Sequence, residues 1–219
     1  MKPILFSTAM VRAIIDGEKT CTRRIIKKEI PGGYKPLGFV LYPTDDKELG
    51  NLVFGGKGAN VYYAKPPYKA GDILYVRETW TNTLTPDGNV GFAYKADGEP
   101  KNFLWWGNAK KGKWEVWMPS IHMPKEAARI FLKVTSVRAE RLKDITEQGC
   151  FNEGISSTSF YDEAEHIQIA GIGLNDSLER AAFSLLWNST VKEEKYSWEG
   201  NPWVWVIEFE KVEKQEIGE

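Results

Sequence analysis

A short polar run near the N-terminus combines the side chains of an acid–base site. Residues 17–24 read Gly-Glu-Lys-Thr-Cys-Thr-Arg-Arg, at the junction of a predicted helix and a predicted strand. The nearby arginines disfavour the ammonium form of Lys19, which suits this lysine to act as a general base. The hydroxyl of Thr22 could then act as a nucleophile. The alternative is a basic edge strand with solvated charges and threonines that favour extended backbone.

A second polar group follows the turn at residues 69–72. Alternation along the predicted strand over residues 73–79 leaves Arg77 and Glu78 side by side at its end, just before Trp80. These three side chains are candidate substrate contacts. The alternative is a tight turn before a strand, with a structural ion pair beyond it.

Aromatic residues make up 13% of the chain and include nine tryptophans. Residues 101–114 interleave them with four lysines and no acid, and Trp117 follows. Cations beside exposed rings are typical of surfaces that stack unpaired bases, although a lysine-rich hairpin tip has the same composition. His122, two residues before Pro124, could donate to a phosphate or a base edge, or hold a turn.

Composition excludes several classes of protein. The 219 residues carry 29 Lys and Arg against 30 Asp and Glu, a formal charge of −1, which argues against a uniformly basic nucleic-acid coat. Two cysteines and two distant histidines predict neither a disulfide scaffold nor a zinc cage, so no metal or cofactor is expected. We find no signal peptide or apolar run of membrane-spanning length, which predicts a cytoplasmic protein without a membrane partner.

Charge is distributed unevenly along the chain. Residues 1–28 carry seven bases against two acids, a local charge of +5, whereas residues 140–199 carry twelve acids against five bases, a local charge of −7. A polarised chain of this kind can present a positive face to a phosphate backbone. The alternative is that the two regions simply pack beside each other.

The elements that must position these residues follow from periodicity and turn signals. We expect many strands, few helices, and an irregular glycine-rich loop over residues 31–60. The predicted strands cover 3–7, 19–26, 61–64, 73–79, 90–95, 129–142 and 203–212, and the predicted helices cover 8–15, 144–152 and 175–187. The strands near 19–26, 61–64, 73–79, 130–141 and 203–212 are expected to form one small barrel, with helices packed outside it.

The order of three motifs resembles the ASCH domain family. These are Gly17-x-Lys19-Thr20-x-Thr22-x-Arg24, Gly71-Asp72-Ile73-Leu74 and Val204-Trp205-Val206-Ile207-Glu208-Phe209. The resemblance covers about residues 3–28, 68–80, 114–154 and 176–212, and segments 76–80, 119–124 and 201–205 resemble longer members from phages and prophages. It implies an α+β fold, a PUA-like mixed β-barrel with flanking helices and inserted loops. The implied domain is single, spans 1–219, and has insertions near 31–66 and 81–127.

The same resemblance implies a function and a site. ASCH domains are regarded as RNA-associated, and one bacterial branch hydrolyses N(4)-acetylcytidine to cytidine and acetate. Its catalytic lysine and threonine match Lys19 and Thr22, and its glutamate, which follows a Thr-Glu pair at a helix start, aligns with Glu153. The implied roles are base, nucleophile and proton donor, with the oxyanion held by Arg24 or the backbone N–H of Thr20. The substrate contacts that we predict around these residues are Thr20, Arg23, Arg24, Arg77, Glu78, Trp80 and His122.

Two other functions use the same residues. A non-catalytic module could bind RNA or a modified nucleotide through the cations of this site. A metal-independent ribonuclease could use Lys19 to stabilise a pentavalent phosphorus while a hydroxyl attacks. The expected partner in every case is RNA or a modified nucleoside, while the sequence does not indicate an oligomeric state.

Overall fold

The computed structural model describes residues 1–43, 45–58, 60–84, 90–98, 117–169 and 177–214. Helices and strands both occur in this part of the chain, and strands predominate, so the α+β class is confirmed. The strands are β1 (Lys2–Leu5), β2 (Cys21–Ile25), β3 (Lys35–Phe39), β4 (Leu52–Gly55), β5 (Val61–Ala64), β6 (Ile73–Arg77), β7 (Trp80–Leu84), β8 (Val90–Tyr94), β9 (Phe131–Arg141) and β10 (Trp203–Val212). The helices are α1 (Thr8–Ile15), α2 (Glu147–Asn152), α3 (Ser159–Ile169) and α4 (Leu178–Thr190).

The strands pair into three sheets. The largest has the order β1-β6-β9-β10-β2, a second has the order β3-β4-β5, and β7 pairs with β8. Within the large sheet β1 and β6 are parallel, whereas β6 with β9 and β10 with β2 are antiparallel. The strands that the structure describes form no closed barrel.

Most of the predicted elements are present with small shifts at their ends. The helix predicted over 8–15 is α1, and the predicted strands 61–64 and 203–212 are β5 and β10. The side chain of Ser7 caps α1 by accepting from the Met10 N–H at 3.4 Å. Strong alternation and clear capping residues explain these agreements, because both signals are local in sequence.

Two predictions are wrong. Residues 31–60 contain β3 and β4 in place of an irregular loop, and β5 pairs with β4 instead of joining the strands of the large sheet. The glycines misled the prediction, because Gly38 lies within β3 at φ 148, where the register with β4 shifts. A glycine inside a strand often marks such an irregularity and not the end of the strand.

The chain divides into two compact units, each with its own buried cluster. One unit comprises Met1–Lys19, Asp72–Lys133 and Glu210–Glu219. It contains β1 paired with β6, and its apolar cluster is Trp80, Met123, Ala127, Ala128 and Phe131. The prediction of a single domain stays a prediction.

The other unit comprises Thr20–Gly71 and Val134–Phe209. Its core joins α2, α4 and β10, and the Phe183 ring lies 6.2 Å from that of Trp187 and 6.1 Å from that of Trp198. This core supports β2, the strand that carries the polar motif. None of the helices in the described ranges combines the length and apolar character required to cross a bilayer.

Candidate functional site

β2 holds the motif residues inside the second unit. It pairs with β10 so that Thr22 lies opposite Ile207 and Arg23 lies opposite Val206. Side chains alternate along a strand, so Thr22 and Arg24 share one face of β2, and Cys21 and Arg23 share the other. Thr22 is 2% exposed and Arg23 is 5% exposed, although neither residue type favours the interior.

Arg23 joins two carboxylates from distant parts of the sequence. Its Nε and Nη2 donate to Glu140 Oε1 at 3.0 and 2.7 Å, and its Nη1 donates to Glu153 Oε1 at 3.2 Å. The guanidinium also lies 5.8 Å from the ring centroid of Phe183. The structure therefore brings Arg23 and Glu153 together, while alternation directs Thr22 to the opposite face of the strand.

The charges around Arg23 stabilise its cationic form. Burial alone would lower the pKa of Arg23, but the carboxylates of Glu153 and Glu140 outweigh burial, so the pKa is raised. At Arg24 burial dominates and lowers the pKa, with Glu153 opposing the shift. The charge of Glu153 thus acts on both arginines of the motif.

Local sequence explains how Glu153 reaches this position. Thr146 caps α2 by accepting from the Gly149 N–H at 3.0 Å, and Glu153 ends the helix, with its N–H donating to the Cys150 carbonyl at 3.1 Å. Gly154 then turns the chain in the left-handed region at φ 77. A Cβ at Gly149 would lie 3.3 Å from Arg23 Nη2, so the glycine leaves room for the guanidinium.

Lys19 is described within the first unit, where it follows the end of α1. Gly17, at φ 79, reverses the chain after the helix, and the N–H of Lys19 donates to the Ala13 carbonyl at 3.0 Å. The side chain is 3% exposed, and its Nζ lies 5.5 Å from the ring centroid of Phe6. Lys19 is therefore a buried lysine that contacts an aromatic ring.

Thr20 differs from its neighbours because its side chain is exposed. Its N–H donates to the Asn152 carbonyl at 2.9 Å, and its carbonyl accepts from the Phe209 N–H at 2.9 Å. The Thr20 N–H is thus already occupied, which argues against its use for an oxyanion. Of the two groups suggested for that role, Arg24 remains.

The second predicted group lies in the first unit, where Arg77 and Glu78 have structural partners. Arg77 donates from Nε to the Met123 carbonyl at 2.8 Å and from Nη2 to the Ile121 carbonyl at 2.5 Å. Trp80 is buried, whereas His122 is exposed at the end of a short 3₁₀ turn. These contacts are typical of residues that fix a loop to a strand end.

Glu78 forms a structural ion pair, as the alternative interpretation of the sequence allowed, but with a partner that the sequence did not indicate, Arg129. Its carboxylate accepts from Arg129 Nε at 2.9 Å and from Nη2 at 3.1 Å, in the fork geometry that arginine favours. Burial raises the pKa of Glu78, and the bonds to Arg129 oppose that shift. The guanidinium of Arg129 also lies 4.0 Å from the Tyr94 ring centroid and pairs with Asp97 at 2.7 Å.

Sequence reasoning missed Glu140 and Arg129. Glu140 lies 117 residues from Arg23, and Arg129 lies 51 residues from Glu78. No local pattern indicates such pairings, since only the sheet brings these positions together. The lysine and tryptophan stretch over 101–116 lies outside the described residues.

Comparisons with known proteins add no assignment to this geometry. No protein-family model, curated protein or solved structure matches the chain. Within the described ranges, no group of three or more His, Cys, Asp or Glu side chains could hold a metal ion. The chemistry of the site therefore has to be argued from its own residues.

Proposed function

We propose that the protein is an amidohydrolase that removes an acyl group from the exocyclic amine of a modified nucleoside such as N(4)-acetylcytidine. One observation carries the proposal. Only seven polar or charged residues are buried among those the structure describes, and four of them are Lys19, Thr22, Arg23 and Glu153. Burying charged groups costs several kcal/mol each unless they are compensated, so their concentration in one motif and its partner favours a functional role.

The proposed reaction uses these residues in two steps. Lys19 accepts the proton of Thr22 Oγ1 as that oxygen bonds to the acyl carbon, and the carbon–nitrogen bond breaks as Glu153 supplies a proton to the leaving nitrogen. Water then attacks the acyl-threonine ester and gives one proton to Glu153, and the Thr22 oxygen takes its proton back from Lys19 as the acyl group leaves as acetic acid, which ionises to acetate. Arg24 stabilises the oxyanion, and Arg23 positions Glu153. The scheme requires the Thr22 hydroxyl and the Glu153 carboxyl to meet at the substrate, since alternation along β2 places Thr22 on the face opposite Arg23.

The finer fold and partner assignments belong to the same proposal. We propose that the large sheet corresponds to the PUA-like barrel of ASCH domains, as the order of the three motifs suggests. The partner would then be RNA or a modified nucleoside, and the site of action the cytoplasm. The second candidate function is a non-catalytic module that binds RNA or a modified nucleotide. It is favoured because Arg77 and Glu78 are engaged with structural partners, so that only the motif around Lys19 and Thr22 is left to carry out chemistry.

A panel of acylated nucleosides and short RNAs, analysed by mass spectrometry after incubation with the protein, tests the proposal. We expect loss of an acetyl mass from N(4)-acetylcytidine. Shortened RNA would indicate the ribonuclease, and binding without any change of mass would indicate the non-catalytic module.

Two variants then assign the roles. Lys19→Arg keeps the charge but cannot act as a base, so kcat should fall by about 10²–10⁴ while substrate still binds. Thr22→Val is nearly isosteric and should be similarly inactive. Thermal melts of both variants must stay near wild type, and full hydrolysis by Lys19→Arg would refute the general-base assignment.

A further inference from the structure

A groove of about 410 Å³ opens beside the end of β2, in the unit that contains Thr22 and Glu153. Its volume falls within the range of sites for small ligands, roughly 300–1,000 Å³. Among its described lining residues four are cations, Lys27, Lys28, Arg141 and Lys195, and one is an acid, Glu29. This excess of positive charge predicts an anionic ligand.

The groove is positively charged although one of the stretches that line it is acidic overall. Residues 140–199 carry a local charge of −7, yet the charged residues that this stretch contributes to the described lining are Arg141 and Lys195. Lys195 is paired with Glu193 at 3.3 Å. Lys27 and Lys28 are exposed, and neither forms an ion pair with a described residue. These two lysines can therefore pair with a ligand without breaking an existing ion pair.

Arg141 is held in place before any ligand arrives. Its guanidinium lies 4.5 Å from the ring centroid of Trp203, and its Nη1 donates to the Asn201 carbonyl at 3.1 Å. The Trp203 ring is fixed in turn by an edge contact with Phe54 at 5.1 Å. A planar guanidinium with free N–H groups matches the geometry of a phosphate, and a fixed one loses less entropy on binding.

The backbone between two lining residues, Gly200 and Pro202, takes a left-handed conformation. Asn201 has φ 44, the one non-glycine residue at positive φ among the residues described, and its Oδ1 accepts from the Lys143 N–H at 2.9 Å. At Gly200 a Cβ would lie 2.4 Å from the Lys195 carbonyl oxygen, so the two segments approach too closely for a side chain. Strained backbone that is held by several contacts is typical of ligand-binding segments.

We propose that this groove binds the phosphates of a nucleotide or of single-stranded nucleic acid. Arg141, Lys27 and Lys28 bind phosphate, and the Tyr196 ring, which also lines the groove, stacks on a base. The proposal rests on the proposed function only for the class of partner. Thr22 and Lys27 are five residues apart in extended chain, about 16 Å, so the groove is separate from the candidate catalytic residues.

Fluorescence anisotropy with labelled octauridylate, measured from low to moderate salt, tests the groove. The variant Lys27→Gln/Lys28→Gln is compared with the control Lys57→Gln/Lys65→Gln, which removes the same charge from exposed lysines of the same unit outside the groove lining. Each lost phosphate contact lowers the salt slope by about 0.7, so the groove variant should lose about 1.4. The control slope should stay at the wild-type value.

Arg141→Lys and Tyr196→Leu examine the two other contacts. Arg141→Lys keeps the charge but loses the fork, so octauridylate should bind more weakly while the salt slope changes little. Tyr196→Leu keeps the backbone carbonyl that accepts from Trp187 Nε1, and it should weaken binding by about fivefold or more if a base stacks there. Thermal melts confirm that each variant is folded.

Competition distinguishes the sources of the phosphate. If cytidine 5′-monophosphate displaces octauridylate, the groove binds free nucleotides. If only oligonucleotides displace octauridylate, the groove binds single-stranded nucleic acid. Both outcomes support the proposal. Equal binding of octaglutamate, an equal loss of slope in the control variant, or no octauridylate binding by the wild type would overturn it. N(4)-acetylcytidine lacks a phosphate, so its deacylation should be unchanged in the groove variant. Absence of deacylation by the wild type would count against the proposed function and not against the groove.

Discussion

Arg23 bonds to two carboxylates inside the second unit, those of Glu140 and Glu153. Replacing it with glutamine would leave two carboxylates without their buried cation. We expect Arg23→Gln to lower the free energy of unfolding by about 3–5 kcal/mol, measured by urea denaturation followed by circular dichroism.

Arg138 provides a matched control for that measurement. It also pairs with two carboxylates, that of Glu140 at 3.5 Å and that of Glu208, but its side chain is 48% exposed. Arg138→Gln should therefore change the free energy of unfolding by no more than about 1 kcal/mol. Equal losses from the two variants would show that burial of the Arg23 pairs contributes nothing.

The contacts of Glu208 predict that part of the free energy of unfolding depends on pH in the acid range. The Ser136 hydroxyl donates to its carboxylate at 2.6 Å and, with Arg138, lowers the pKa of Glu208 below its ordinary value. Since the folded state binds this proton less readily than the unfolded state, the stabilisation is complete above the unfolded pKa and is lost as the pH falls through the folded pKa.

Glu208→Gln should therefore be less stable than the wild type near pH 7. As the pH falls below about 5, its stability should decrease less than that of the wild type, because the variant has no carboxylate to protonate at this position. Thermal melts from pH 7 to pH 3 measure both effects. Glu210→Gln serves as the control, since Glu210 pairs with Lys133 at 3.5 Å and both side chains are about half exposed. A wild-type pH profile in Glu208→Gln would contradict the prediction.

At the scale of elements, α2 depends for stability on Thr146, the capping residue that precedes it. The helix has six residues, too few to be stable alone, and Thr146 satisfies the N–H of Gly149. Thr146→Ala should lower the free energy of unfolding by about 1 kcal/mol, measured in urea. Thr146→Ser keeps the hydroxyl and should stay near wild type, and a loss in the serine variant equal to that of alanine would show that the cap is unimportant.

The sequence predicted elements best where one face is apolar and the ends are marked. β10 was predicted with its observed bounds because Val204, Val206 and Ile207 are part of a nearly continuous apolar run. α3 was missed because Asp162, Glu163, Glu165 and His166 obscure its apolar face, to which the buried Ala164 belongs. β7 was missed because its polar threonines and asparagine resemble a loop.

At the scale of the whole molecule, the candidate site was predictable only in part. Lys19, Thr22 and Arg23 lie in one run of sequence, and a short motif was enough to select them. Their burial depends on residues far along the chain, such as Glu140 on β9, and no local pattern encodes that distance. The cationic groove was not predicted for the same reason, since its lysines and Arg141 meet only in the folded unit.

The place of β10 in the large sheet determines when β2 can pair during synthesis of the chain. β10 lies between β9 and β2, yet residue 203 follows residue 25 by 178 positions. At 5–20 residues per second, ribosomes leave β2 without its sheet partner for about 9–36 seconds. During that interval the polar motif lies on an open strand edge, where chaperones or other nascent chains can bind it.

Truncation tests this delay directly. A chain ending at residue 202 should expose β2, bind hydrophobic dyes and aggregate, whereas a chain ending at residue 214 keeps every described strand and should melt like the full protein. The strand that carries the motif is thus synthesised early and paired with β10 late. Translation speed and the supply of chaperones would therefore determine how much folded protein a cell obtains.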